Sequence, residues 1–340
     1  MNPYKKILVI QTAFLGDVIL ITPLIRAVHD LFPNAQIDAL VLPQTASILT
    51  NNPYLSNIIK FDKRGNKWIS FFRTVKMIRN TKYDLAISPH SSVTTAYLML
   101  LGGINERLGF DRWHAAKYLT LKVPHLEGIH KIKKNLHLLS VFTEQEFDMQ
   151  SEIFPDAGQL NKYRLVVKEI VSRGNRVIAL APGSVWNTKR WPEEHYTVLS
   201  RLLSKSGYRL LFIGGPEESE LCTRIIRDAG INAENFAGKT TPLDSAALLT
   251  YCDLLICNDS GAMHIANAVK TDIVAFFGPT VQSIGYYPFR NTDIVMELDM
   301  DCRPCGSHGG NACPLGHHNC MKHITPQAVL EIVNRKFKDI

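Results

Sequence analysis

The sequence predicts an α/β protein of two Rossmann-like, doubly wound domains, each built on a parallel sheet. Three observations carry this. Short apolar runs rich in β-branched residues alternate with helix-spaced segments. Several of those runs end directly in a glycine or polar turn. The alternation occurs in two blocks, in a chain of 340 residues whose length suits two domains of ordinary size. Ligands of open parallel sheets bind beyond the carboxyl ends of the strands, so two such domains facing each other across a cleft place the expected site there.

In the first block, KILVIQ at Lys6–Gln11 reads as a buried parallel strand. Leu15-Gly16-Asp17 is the turn after it. Val18–Phe32 carries apolar residues at helical spacing, with Pro23 early, where a helix tolerates it best. Strands follow at Gln36–Leu42, Asn57–Phe61 and Asp84–Ser88, with a helix over Trp68–Asn80. The second block repeats the pattern. Strands are expected at Arg176–Ala181, Arg209–Ile213, Leu254–Cys257 and Ile273–Phe277, and helices at Pro192–Ser206 and Thr325–Arg335. The boundary is expected between Pro155 and Asn175. This gives domains over 1–165 and 166–324 and a closing helix over 325–340.

Hydrophobic residues at 46% and charged residues at 20% exclude a disordered or fibrous chain. No stretch reaches the roughly 18–20 apolar residues of a membrane span. The opening lysines and apolar run imitate a signal peptide, but Gln11, Asp17 and Pro23 interrupt it and no small-x-small cleavage site follows. The expected compartment is the cytoplasm.

The net charge is +7, and it is unevenly placed. Lys60–Lys134 holds 15 Lys/Arg against 5 Asp/Glu, so the remainder is net negative. That segment is either a solvated basic helix face or a surface for phosphates and carboxylates. No nucleic-acid-binding motif accompanies it. All seven cysteines lie after residue 220, four of them at Cys302, Cys305, Cys313 and Cys320. The C-x2-C-x7-C-x6-C spacing allows a tetrahedral structural Zn²⁺, reduced thiols packed in an irregular loop, or disulfides.

Three turns carry candidate chemistry. Asp17 directly follows the first strand, at the ligand end of the sheet and near a helix start whose dipole favours a carboxylate. There it can accept a proton from an attacking hydroxyl; the plain alternative is an N-cap. PGSVWNTKRWP (Pro182–Pro192) joins a strand to a helix, and its amides, Ser184 and Lys189 can face a phosphate. It lacks the Walker spacing, so ordinary nucleotide-triphosphatase chemistry is disfavoured. NDSGAMH (Asn258–His264) puts Ser260 and Gly261 at a helix start suited to a diphosphate. Asp259 can bond a sugar hydroxyl or fix the loop. His264 falls on the first turn, where packing or capping is its commoner role.

With these motifs in view, the chain resembles the heptosyltransferases of lipopolysaccharide core synthesis, glycosyltransferase family 9. KILVIQTAFLGDVILITPLIRAVHDLFPNAQID is similar to the family's opening, and APGSVWNTKRWPEEHY and CNDSGAMHIANAV to its donor-domain motifs. CRPCGSHGGNACPLGHHNCM is similar to the tail of the branch that adds the second core heptose. The resemblance implies a GT-B fold, with acceptor bound by the first domain and ADP-heptose by the second. It implies inverting transfer of L-glycero-D-manno-heptose to the first heptose of the inner core, with no cofactor required. Asp17 would then be the catalytic base. Ser184, Lys189, Glu218, Thr241, Asp259, Ser260, Gly261 and His264 would serve the donor. The acceptor, Kdo–lipid A carrying one heptose, would bring the enzyme to the cytoplasmic face of the inner membrane, with no nucleic acid involved. Another family 9 acceptor or donor sugar, a GT-B nucleotide-sugar epimerase and a non-catalytic nucleotide-sugar-binding protein are the alternatives. The Gly-Asp turn and the TKRWP loop favour transfer.

Overall fold

The computed structural model describes residues 4–63, 66–112, 114–171 and 175–338. The chain divides into two compact units, Met1–Phe154 and Pro155–Ile340.

The first unit runs β1 (Lys6–Gln11), α1 (Leu15–Ile19), α2 (Thr22–Leu31), β2 (Gln36–Val41), β3 (Asn57–Lys60), α3 (Lys67–Thr81), β4 (Leu85–Ser88), α4 (Val93–Leu101), β5 (Glu106–Phe110), β6 (Leu121–Val123) and α5 (Lys131–His137). Its six strands are all parallel, in the order β3-β2-β1-β4-β5-β6. β1 is central, with Val9 in register with Ala39 on one side and Ile87 on the other. Both faces of a central parallel strand are covered, which is why Ile7, Leu8, Val9 and Ile10 are all fully buried. Leu8, Ile10 and Leu40 pack with Val75 and Ile78 of α3 and Ala96, Leu98 and Met99 of α4 in one apolar cluster.

The single helix expected over Val18–Phe32 is instead two. α1 ends at Ile19, where the Leu20 amide donates to the Gly16 carbonyl, and α2 begins at Thr22 with Pro23 in its first turn. Pro23 has no N–H to donate and its ring excludes the preceding turn, so a helix begun at Leu15 cannot run through it. The short α1 holds Asp17 at a fixed place beyond β1.

The second unit runs α6 (Ala157–Ile170), β7 (Val177–Ala181), α7 (Glu193–Lys205), β8 (Arg209–Phe212), α8 (Ser219–Ala229), β9 (Glu234–Asn235), α9 (Pro242–Leu249), β10 (Leu254–Asn258), α10 (Gly261–Ala268), β11 (Asp272–Phe277), β12 (Ile294–Glu297), α11 (Asn319–Lys322) and α12 (Pro326–Lys338). Its sheet is also parallel, ordered β12-β11-β10-β7-β8-β9. Counted within each unit, the two orders are the same, and the order reverses between β1 and β4 and between β7 and β10. Crevices open at such reversals, so the loops after these four strands are where ligands are expected.

The division falls before α6. Residues 172–174, inside the stretch expected to hold the boundary, lie outside the described residues. Asp156 and Gln159 form a capping box that starts α6. Gln159 Nε2 then donates to Asp244 Oδ1 at 3.2 Å, and Tyr163 meets Phe236 edge-on at 6.4 Å. These contacts tie the whole helix to the second unit, where a cut at 165/166 would pass through it. The closing helix α12 likewise belongs to this unit, because Val329 and Val333 are fully buried in its core. Trp191 anchors that core. It is 1% exposed, lies 4.5 Å from the Phe276 ring, and donates through Nε1 to the Ile324 carbonyl at 2.9 Å.

Candidate active site

In the first unit, Asp17 sits in the first turn of α1, and the N-cap position belongs to Phe14, which makes no side-chain cap. The capping alternative for Asp17 is therefore not what the structure holds. Around it stand residues that the sequence did not single out. Lys63, in the loop after β3, donates from Nζ to Thr12 Oγ1 at 2.8 Å and to the Thr12 carbonyl at 3.3 Å. His90 follows β4, and Lys131 opens α5. Burial lowers the pKa of His90, the charges of Lys63 and Lys131 lower it further, and Asp17 opposes them. Burial also lowers Lys131, with Asp17 again opposing and Lys134 and Arg112 adding to the fall. One carboxylate thus lies among two ammonium groups and an imidazole kept neutral, at the carboxyl end of the sheet and beside its reversal point. The signal in the sequence was positional only: each residue follows a strand or opens a helix, at no recognisable spacing.

The Lys60–Lys134 charge surplus resolves into two populations. Lys63, Arg112, Lys131 and Lys134 are partly or wholly buried, and burial lowers the pKa of Lys63 and Lys134. Lys67, Arg73, Lys76 and Arg79 are exposed on α3. Arg64 of this segment lies outside the described residues.

In the second unit, the loops after β7 and β10 meet. Lys189 Nζ donates to Asp259 Oδ2 at 2.5 Å, with 14% and 7% of the two side chains exposed. Thr280, beyond β11, donates to the same oxygen at 2.8 Å. Asn258, fully buried at the end of β10, locks the two loops together. Its Nδ2 donates to the Pro182 and Gly183 carbonyls at 2.8 and 3.2 Å, and its Oδ1 accepts from the Trp191 amide at 2.9 Å. Ser184 is buried, and its carbonyl accepts from Arg190 Nε at 2.8 Å. Ser260 is the N-cap of α10 in extended geometry but makes no side-chain cap, so the amides from Gly261 onward lack that partner. His264 is buried in the first turn of α10, with Tyr286 6.4 Å away, ring to ring.

Glu218 lies across the β7 turn. Its Oε2 accepts from the Gly215 amide at 2.7 Å, and a Cβ on Gly183 would stand 1.7 Å from its Oε1, so any larger residue there would have to push the Glu218 carboxylate aside. Burial raises the Glu218 pKa, opposed by the Gly215 amide and Arg190. It borders a cavity of about 420 Å³ whose lining holds Glu193, Glu194, Glu217, Glu218 and Glu220 with Arg190, Arg224 and Lys322. So acidic a wall repels a diphosphate, which points to the Lys189 loop instead.

Thr241, expected to serve the donor, stands at a helix start. It is the N-cap of α9, accepting from the Asp244 amide at 3.1 Å and donating to Asp244 Oδ2 at 2.7 Å. Both hydrogen-bonding functions of the hydroxyl are spent on the helix start. Thr241→Ala is expected to lower stability by about 1 kcal/mol with nucleotide affinity unchanged, as a denaturant melt beside a binding titration will read.

The cysteine-rich tail braces the Lys189 loop and the end of β11. Thr188 exchanges two hydrogen bonds with Gly310, at 3.0 and 2.7 Å, and the Thr188 carbonyl lies 2.8 Å from His318 Nε2. Arg303 donates to the carbonyls of Phe277, Gly278, Leu298 and Thr280 and pairs with Glu297 at 2.9 Å. The tail thus holds the loop of Lys189 on one side and the strand end that carries Thr280 on the other. All seven cysteines are free thiols, so the disulfide alternative is not met. The amide of His318, with those of Leu315, Gly316 and His317, lowers the Cys313 thiol, whereas burial raises Cys305 and Cys320. Among the described residues, no group of three or more His, Cys, Asp or Glu is gathered that could hold a metal ion.

Two parallel units of identical strand order, each with its polar residues at the reversal point, have the architecture of a GT-B glycosyltransferase. The profile of glycosyltransferase family 9 (heptosyltransferase) matches residues 71–313, and the chain belongs to that family. It is 28% identical over 336 residues to the lipooligosaccharide heptosyltransferase 2 of Campylobacter jejuni, covering 97% of this chain and 98% of the relative. It is also 28% identical to a lipopolysaccharide heptosyltransferase 3 of Escherichia coli, covering 83% and 85%. The fold is similar to that of the E. coli ADP-heptose LPS heptosyltransferase II, with a TM-score of 0.80 at 23% identity, over 98% of this chain and 99% of the other. No helix among the described residues is long and apolar enough to cross a membrane.

Proposed function

We propose that this heptosyltransferase moves L-glycero-D-manno-heptose from ADP-heptose to the first heptose of the lipopolysaccharide inner core, inverting the anomeric carbon and using no divalent metal. The observation that carries the reading is the buried Lys189–Asp259 pair, at the reversal point of the second sheet, beside the uncapped start of α10. A cation and unpaired amides are the groups that a departing diphosphate needs.

In the proposed step the acceptor hydroxyl attacks the anomeric carbon and forms the new glycosidic bond. The bond to the diphosphate breaks, its electron pair leaves with ADP, and the hydroxyl proton passes to Asp17. The transition state is oxocarbenium-like, as in glycoside hydrolysis. Lys189 and the amides of Ser260 and Gly261 take up the charge that develops on the leaving group. Asp259 holds Lys189 until the donor arrives and then offers its carboxylate to a sugar hydroxyl. Glu218 and its acidic cavity suit the ribose better than the phosphates. Lys63, Arg112, Lys131 and Lys134 give the Kdo carboxylates and core phosphates a cationic seat around Asp17. The enzyme would work at the cytoplasmic face of the inner membrane, where that acceptor is made.

The similarity to a heptosyltransferase 3 supports a second reading, in which the acceptor already carries two heptoses. The test is a panel. ADP, UDP, GDP and CMP are titrated without added metal, and then ADP-heptose is offered with acceptors bearing no, one or two heptoses. Selective ADP binding and a product only on the one-heptose acceptor is the expected result. A product only on the two-heptose acceptor transfers the assignment to the second reading. UDP preference with epimerised free sugar overturns both.

A further inference from the structure

We propose that the outer face of α3 and α4 docks this protein on an anionic lipid bilayer. That it thereby presents Asp17 to a membrane-borne acceptor rests on the acceptor reading above. α3 turns Thr74, Val75 and Ile78 inward. Outward it shows Trp68, Ile69 and Phe72, which are 69%, 56% and 59% exposed. Interleaved with them are Lys67, Arg73, Lys76 and Arg79, and the helix has no acidic residue. Beside it α4, VTTAYLMLL, has no charge at all: Ala96, Leu98 and Met99 face the core while Val93, Tyr97, Leu100 and Leu101 are exposed. Arg79 Nε donates to the Leu101 carbonyl at 2.6 Å, which joins the two helices into one surface. Tyr118, 2.8 Å from Tyr97 hydroxyl to hydroxyl, and Lys117, 4.9 Å from the Tyr118 ring, extend it.

A merely solvated basic helix does not leave three large apolar side chains in water. Aromatic rings at headgroup depth, with Lys and Arg stems laid along them and charges raised to the phosphates, are what an interfacial helix presents. The charge selects the occupant. A second copy would set this basic face against itself, whereas an anionic leaflet complements it. The surface also runs into the active site. The Lys67 charge acts on Lys63, which is bonded to Thr12 and whose own charge acts on His90 beside Asp17.

The test is flotation of the full chain with phosphatidylcholine vesicles with and without phosphatidylglycerol. The wild type is expected to float only with the anionic vesicles, less so as salt rises, and to blue-shift its tryptophan emission. The double variant Arg73→Glu/Lys76→Glu should lose partitioning by at least ~10-fold, since each basic residue near such a surface contributes roughly fivefold. The variant Trp68→Ala/Phe72→Ala should lose both flotation and the emission shift. Both should keep the wild-type melting temperature, ADP affinity and turnover on a deacylated, water-soluble acceptor. Wild-type protein that ignores anionic vesicles, or variants that float as it does, overturns the proposal. A wild-type dimer that these variants turn into monomers, with no vesicle binding, assigns the face to self-association and overturns it too. Flotation as expected, with no transfer to any heptose acceptor, upholds the docking face and removes the acceptor reading alone.

Discussion

Asp17→Asn is expected to cut the rate of heptosyl transfer by about 10³-fold, within the 10²–10⁴ range that a positioned base supplies, while ADP binding is unchanged. The substitution keeps the size of the side chain and removes its charge and its ability to hold the acceptor's proton. It costs no helix cap, because Phe14 occupies that position of α1. It also leaves Lys131 without the carboxylate that opposes the charges of Lys134 and Arg112, so a modest loss of acceptor affinity should accompany the loss of rate. Single-turnover transfer, read beside an ADP titration, separates the two. Wild-type turnover in the variant would remove Asp17 from the mechanism and leave its cationic neighbours as binding groups only.

Lys189→Ala is expected to weaken ADP binding and to lower transfer by about 10²–10³-fold, the usual cost of losing one stabilising contact to a developing anion. This variant needs a partner experiment. Lys189 and Asp259 form a largely buried pair, and deleting one member leaves the other charge unmatched, which costs about 3–5 kcal/mol of stability. Loss of fold would then imitate loss of function. The double variant Lys189→Met/Asp259→Asn removes both charges, and Thr280 can still bond the amide. It should melt near the wild-type temperature and still fail to bind ADP. Restored ADP affinity in the double variant would show that Lys189 serves only to neutralise Asp259.

The strands were legible where the chain is most buried. β1, β7, β10 and β11 each hold an unbroken apolar run of four or five residues because parallel strands inside a sheet are covered on both faces. The edges were not. β5 begins Glu-Arg, β6 has three residues and β9 has two, so none presents a pattern long enough to read. The donor-side turns were legible because their residues are contiguous: Lys189 and Asp259 lie in loops that announce themselves by glycine, proline and polar side chains after a strand. The surroundings of Asp17 were not, since Lys63, His90 and Lys131 come from three separate crossings of the sheet. Thr241 has a structural role that its letters left open. A threonine in a polar loop carries the same letters whether it meets a ligand or caps a helix, and the Asp244 three residues on was the clue to the cap. The helix over Val18–Phe32 failed on one residue, because Pro23 marks a start as readily as an early position.

The clasp between the tail and the Lys189 loop bears on the order in which this protein comes into being. Gly310 and His318 hold a loop laid down more than a hundred residues before them. A nascent chain that has emerged only as far as β11 possesses every strand of the second sheet but β12, and the Asn258 lock on the lysine's loop, but not the clasp on Thr188. The proposed nucleotide site is therefore complete only once the tail has folded back across strands made before it.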